Sequence, residues 1–521
     1  MIKINQKNYT IVYLFLLLIL LGSCSTVNHY NRKIKIPISS ENLKFDIDFA
    51  YGKLQKIHPN LYQYISKQEL ERKFDSLKAR LDTPMTSKDF YFQLSPVISS
   101  VKQGHIRLIP LTEKLKTKEK SLAKKSGKTP LSQFEYEIIE NILIISENNS
   151  LDSTIPVGSE VIAINNIHPQ EIFSKYRNTF SSDGYNTTFI NKRLSDEFPF
   201  YFYFENGICD SINLLVKYND TIFSKCISRD KKTHGKRDND QSKIDKREKT
   251  IATGYDRKTN SYLQQLTFPS SDSSIAMMKI KNFSDGNFLT FFHKSFKFLK
   301  RKNIQYLILD LRDNPGGKIY SARLLYSYLT KSDYYFLDKF EVTSRTSILY
   351  DNYLKEKPLF VKAILITVGL PFRLLYMGVS LMNVKKEANG KFYYNTINSN
   401  LLHPKKNNYN GKIYVLINGG TFSASCLISS NLSGSGRAIF VGEETGGAFN
   451  GNVAGTLPIF TLPKSRLKLR FGGALIQSHY KSENIGRGIM PDIEIKTTRE
   501  DIISGNDAEL TRVLDEIKKE K

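Results

Sequence analysis

Tryptophan is absent from the 521 residues, although 32 Phe and 29 Tyr are present. Large rings therefore reach the core only as Phe and Tyr. Cysteine is scarce: there are four, and no Cys-x-x-Cys occurs. The eight histidines show no ligand spacing. These absences argue against a zinc finger or ribbon, and no metal site is expected; the serine chemistry described below needs no organic cofactor. Acidic residues are in deficit, with 51 Asp and Glu against 76 Lys and Arg and a net charge of +25. A basic balance suits nucleic acid, anionic membrane surfaces or acidic partners. No helix–turn–helix, zinc-finger or aromatic ribonucleoprotein-type motif is present, which removes the basis for nucleic-acid binding. Attraction to anionic lipid is the more economical reading.

Ile11–Leu21 is uninterrupted apolar sequence but too short to span a bilayer comfortably. Lys3 and Lys7 precede it, and Gly22, Ser23 and Cys24 follow. This is the pattern of an export signal, not of a domain. Leu21-Gly22-Ser23-Cys24 resembles a bacterial lipobox, which implies lipidation at Cys24. The expected location is the bacterial cell envelope, with a lipid-anchored chain facing the periplasm. Ser25 to about Ser40 would be a polar tether. Export permits disulfides. Cys209 and Cys226 lie in neighbouring strand-like runs, so they either pair or stay as free, buried thiols. Cys426 reads as a small apolar helix residue.

Residues 42–109 read as helical. Leu43, Ile47, Leu54 and Ile57 share one helix face. Ser66 marks the start of the next helix, with Glu69 as its capping-box partner. A third starts at Thr86 or Ser87 and ends near Gly104, just before His105. From Phe134 to Ser228 the pattern is strand-like, through Tyr136–Ile145, Glu160–Ile164, Phe198–Phe204 and Ile212–Val216. Pro156–Asn166 resembles part of a PDZ domain, a module that binds peptide ends at a sheet edge. Any small β-module would satisfy the same pattern. Arg229–Asn260 is charged and nearly free of apolar residues, so a flexible linker is expected. Beyond Ser274, strands alternate with helices, which argues for a mostly parallel, covered sheet. Residues 341–410 interrupt it as an insertion. Its apolar stretch Leu359–Met382 is expected to be a buried lid, or else a surface that touches lipid.

Two segments carry the chemistry. Leu307–Gly317 reads LILDLRDNPGG, and Ile417–Cys426 reads INGGTFSASC. Each is an apolar strand that ends in a glycine turn, and the second delivers Ser423 at the start of a helix. A fixed hydroxyl beside free N–H groups is what acyl transfer requires. Ala424 N–H and the turn glycines Gly316 and Gly317 are the expected oxyanion donors. The surroundings of Ser423 do not fit G-x-S-x-G, which disfavours the α/β-hydrolase elbow.

DLRDNPGG, TFSAS, Val441–Gly447 and the late Gly488–Ile495 together resemble the C-terminal processing (tail-specific) peptidase family. His58-Pro59-Asn60-Leu61-Tyr62 and Gly104-His105 fit the same resemblance. It implies a multi-domain α+β chain: a helical domain, a PDZ-like module and an α/β serine protease core. The expected divisions are a signal peptide at 1–23, a tether at 24–40, the helical domain at 41–112 and the PDZ-like module at 113–228. A basic linker at 229–262, the core at 263–500 and a C-terminal helix at 501–521 complete them. Ala448 stands where one branch of the family has its lysine, and Cys426 where the family usually has glutamate. The resemblance to the tricorn-core branch instead implies His105 as the base and Glu483 as the third member of a catalytic triad. The expected partners are peptide or protein substrates, plus a membrane through the lipid anchor. The expected activity is serine endopeptidase action on unfolded or tail-exposed proteins; a non-cleaving peptide- or lipid-binding scaffold is the alternative.

Overall fold

A computed structural model describes residues 27–230, 251–256, 261–350, 359–367 and 369–521. The export signal and Cys24 lie outside the described residues. The chain is mixed α+β, with several sheets. The largest has seven strands in the order Ile493–Glu494, Ile439–Gly442, Lys412–Ile417, Tyr306–Asp310, Ile275–Ile280, Ser261–Thr267 and Ile251–Asp256. The first five run parallel, and the last two form an antiparallel edge.

Strand alternation explains how both sheet faces are covered. Leu307 and Leu309 point to one core, with Ile413, Val415 and Ile417 beside them. Helices Phe288–Arg301, Ile319–Leu329 and Ala424–Gly434 supply its other side. Ile308, Tyr414 and Leu416 point the opposite way, onto Val513 and Ile517 of helix Ala508–Lys519. A strand buried on both faces reads as a continuous apolar run, and both key segments do.

The N-terminal helices are Ser40–Ile57, Lys67–Arg80 and Ser87–Ser99. Ser66 Oγ accepts the Glu69 N–H at 3.1 Å, while the Glu69 carboxylate turns to Arg72. Only half of the expected capping box therefore forms. A separate sheet in the order Phe134–Ile139, Ile142–Asn148, Glu160–Ile164, Ser211–Tyr218 and Thr221–Ser228 is antiparallel throughout.

Several expectations are corrected. Phe198–Asn206 is a helix, not a strand. Its buried residues Phe198, Tyr201 and Phe202 fall at helical spacing, which a run of consecutive aromatics conceals. Val27–Lys33, within the expected tether, is also helical, and Asn31 exchanges two hydrogen bonds with Lys114. Part of the expected linker is ordered as the outermost strand of the large sheet, Ile251–Asp256. Cys209 and Cys226 are both free. The hairpin register sets Cys226 opposite Asn213, well along the strand from Cys209, so the thiols cannot meet. The expected buried lid is instead an exposed helix pair, Leu359–Thr367 and Leu370–Met382.

Candidate active site

Ser423 and His105 are 318 residues apart in sequence, yet His105 Nε2 lies 3.2 Å from Ser423 Oγ. Each is fixed by its own element. Lys412–Ile417 ends at Asn418, whose side chain accepts the Asp313 N–H at 2.9 Å and donates to Asp313 Oδ1 at 3.0 Å. Thr421 Oγ1 donates to Leu311 O at 2.8 Å. The Phe422 N–H donates to Asn314 O at 3.0 Å. The two glycine turns are thus stitched together at the carboxyl ends of adjacent parallel strands. That crevice is where open α/β sheets place their ligands.

Ser423 has φ 55° and ψ −120°. This is a costly conformation for a side-chain-bearing residue, held by the surrounding bonds. It turns the chain sharply from strand into helix Ala424–Gly434 and presents Oγ at the crevice. The helix start leaves N–H groups without intrahelical partners. Gly316 has φ 93°, and a Cβ there would lie 2.7 Å from Ala424 N and 2.8 Å from Ser423 Cβ. Only glycine permits this approach. The Gly316 N–H is already given to Asn314 Oδ1 at 2.9 Å, so Gly316 supplies space and not a donor. Among the described residues, Gly317 N–H and Ala424 N–H donate no hydrogen bond and remain open to an oxyanion.

His105 follows the Ser87–Ser99 helix and precedes strand Arg107–Ile109, which pairs antiparallel with Lys468–Arg470. That pairing carries the imidazole to the core. Its ring packs on Phe422, 4.8 Å between centroids, and Phe422 stacks in turn on Phe189 at 4.5 Å. His105 is only 8% exposed. Burial, helped by the positive charge of Arg470, pushes its pKa down to about 3. The ring is therefore neutral at pH 7, with an Nε2 lone pair facing Ser423 Oγ, and the same burial weakens it as a base.

Glu483 does not join this pair. It is exposed, and no bond links it to His105, whose Nδ1 is buried without a partner. Its neighbour Ser482 is fastened to Asn450 by two hydrogen bonds of 2.7 and 2.8 Å, which hold this segment at the surface.

A polar loop that the sequence reading overlooked braces the site. Asp183 Oδ1 accepts the Gly104 N–H at 2.7 Å, and the carboxylate also accepts from Ala448 N–H. Ser181 Oγ donates to Gln103 O at 3.1 Å. Asn186 and Thr188 reach Thr445 O and Glu444 O, each at 2.9 Å. The loop therefore ties the histidine segment to the Glu444–Ala448 turn. Asp183 is fully buried, its Oδ2 has no partner, and burial raises its pKa to about 7. The clustered polar residues Ser181-Ser182-Asp183-Gly184 were the available signal. Ala448 is buried against this loop. Cys426 is buried, with its thiol pushed up to about 12 by desolvation, and does not compete as a nucleophile. Among the described residues no cluster of His, Cys, Asp or Glu is arranged to hold a metal ion.

A serine on a strained strand-to-helix turn, an imidazole within hydrogen-bond reach and open N–H donors define a serine-type peptidase on this fold. Residues 274–495 match the model of peptidase family S41. The fold is similar to that of mature CPAF complexed with lactacystin, at 16% identity over 92% of this chain and 98% of that one, with a TM-score of 0.59. A second structure of mature CPAF gives 15% identity over 90% and 95% of the two chains, with a TM-score of 0.54. None of the curated proteins matches the chain in sequence.

Proposed function

We propose that the chain is an envelope-anchored serine endopeptidase with Ser423 as nucleophile and His105 as general base. The 3.2 Å contact between Nε2 and Oγ carries this reading. A serine hydroxyl is too weakly acidic to attack unaided. His105 Nε2 takes its proton as Oγ adds to the scissile carbonyl. The oxygen that becomes negative is received by Gly317 N–H and Ala424 N–H. The imidazolium then protonates the leaving amine, which departs and leaves an ester on Ser423. Water, deprotonated by the same nitrogen, adds to that ester, and the imidazolium returns the proton to Ser423 Oγ as the acyl–oxygen bond breaks and the acid leaves. The pair acts without Glu483, whose carboxylate is in solvent. The substrates are unfolded or tail-exposed proteins, docked as an added strand or by a chain end. Lipid on Cys24 holds the enzyme to the membrane, facing the periplasm.

A serine-directed fluorophosphonate tests the pair. Labelling is expected in the native chain, absent in Ser423→Ala, and reduced by about 10²–10⁴ in His105→Ala. Both variants should keep the native circular dichroism, and Ser423→Ala should also keep the native melting behaviour. Undiminished cleavage of an unfolded protein by Ser423→Ala would remove the proposal. A chain that is never labelled and never cleaves would be a binding scaffold. Metabolic labelling with a fatty-acid analogue, expected to be lost in Cys24→Ser, tests the anchor separately.

A further inference from the structure

Helix Leu370–Met382 is inside out. Its buried residue is Ser380. Phe372, Leu375, Tyr376, Val379 and Met382 are exposed, with Phe372 at 74% and Met382 at 72%. These positions follow the spacing i, i+3, i+4, i+7 and i+10, so they form one stripe along the helix. A helix seated on a protein core turns such a stripe inward. Here it faces outward, and the preceding helix, Leu359–Thr367, adds exposed Ile364 and Ile366. Single exposed apolar residues are ordinary, whereas a continuous stripe marks a surface built for an apolar medium.

Charge identifies that medium. Between Leu359 and Lys386 no acidic residue occurs, while Lys362, Arg373, Lys385 and Lys386 are basic. Lys385 and Lys386 are exposed on the strand that leaves the helix pair. An apolar stripe flanked by cations, with a tyrosine in the stripe, has the chemistry of a helix lying in a membrane interface beside anionic headgroups. A helix of 13 residues is about 20 Å long, short of the ~30 Å hydrocarbon core. No described helix is long and apolar enough to cross a membrane. A second copy of the chain would bring the same cations against these, which disfavours self-association. We infer that the helices Leu359–Thr367 and Leu370–Met382 dock in the interface of an anionic bilayer, as a contact separate from Cys24. It leaves the Ser423 crevice unused and stands whether or not that pair cleaves.

Because the chain has no tryptophan, Phe372→Trp installs a single fluorescent reporter in the full-length protein. The probe is a vesicle of phosphatidylglycerol and phosphatidylcholine with brominated acyl chains. A blue-shifted emission, quenched by the bromines, is expected for Phe372→Trp. Adding Leu375→Asp and Val379→Asp should abolish the quenching, and purely zwitterionic vesicles should weaken binding by about tenfold or more. Leu151→Trp, on an equally exposed turn, is the control and should stay unquenched. Any of four results would overturn the inference: no quenching of Phe372→Trp in vesicle-bound protein, equal quenching of Leu151→Trp, equal binding to zwitterionic vesicles, or a blue shift without vesicles that grows with protein concentration. The last would mark a second copy as the partner.

Discussion

Asp183 shows how one buried group shapes the site. Its Oδ1 accepts the Gly104 N–H, the Ala448 N–H also faces the carboxylate, and Oδ2 is buried without a partner. Burial lifts its pKa to about 7, against 3.8 for the free side chain. The folded chain therefore holds a proton that the unfolded chain has released between those two values. Stability from this residue is complete below pH ~4, falls as pH rises through the window, and levels off above about 7. Asn keeps the accepting oxygen and removes the titration. Asp183→Asn should thus gain on the native chain by up to about 1.4 kcal/mol per pH unit between roughly pH 4 and 7, with a constant difference above that. Urea titrations at a series of pH values measure this, and a pH-independent difference would place Asp183 among ordinary carboxylates. Only the polar cluster Ser181-Ser182-Asp183-Gly184 marks this residue in the sequence, because its importance lies in which loops it joins.

At the scale of elements, legibility followed local pattern. Strands Ile275–Ile280 and Lys412–Ile417 stand out in the sequence because parallel strands covered on both faces are apolar throughout. The turn at Ser423 was legible because glycines and a serine after such a strand have few other uses. Phe198–Asn206 was misread because aromatic residues favour strands on average, while Pro199 in the first turn and the buried i, i+3, i+4 set select a helix. Ile251–Asp256 was hidden for the opposite reason: an edge strand needs few apolar residues, and its pairing with Ser261–Thr267 supplies the order. The insertion was apolar enough to suggest burial, but composition does not say which way a stripe faces. Glu483 was placed by resemblance alone, and neither spacing nor composition could report that its segment is pinned at the surface by Asn450.

Across the whole molecule, the crevice depends on charges held behind the sheet. Asp310 ends the central strand and is fully buried. Burial alone would raise its pKa, but the charges of Arg312 and Lys279 pull it below the usual carboxylate range. Arg312 grips both Asp310 oxygens at 3.0 Å. Its other edge takes Asp507 at 2.7 and 2.8 Å and Glu509 at 3.1 Å, where helix Ala508–Lys519 begins. One guanidinium therefore joins the strand that leads into the Asn314–Gly317 turn to the helix that covers the far face. Arg312→Met would keep much of the side-chain volume but leave Asp310 buried with Lys279 as its remaining cation. Losing one partner of a buried network costs far more than never having built it, here about 3–5 kcal/mol. Adding Asp310→Asn removes the stranded charge, so the double variant should recover part of that loss. Urea unfolding of the four members of the cycle measures the coupling. Limited proteolysis should also cut the C-terminal helix sooner in Arg312→Met, and fluorophosphonate labelling should slow as the turn loosens. An Arg312→Met protein within about 1 kcal/mol of the native chain, with an unchanged labelling rate, would show that packing of Val513 and Ile517 alone secures the sheet and that the crevice does not rely on this network.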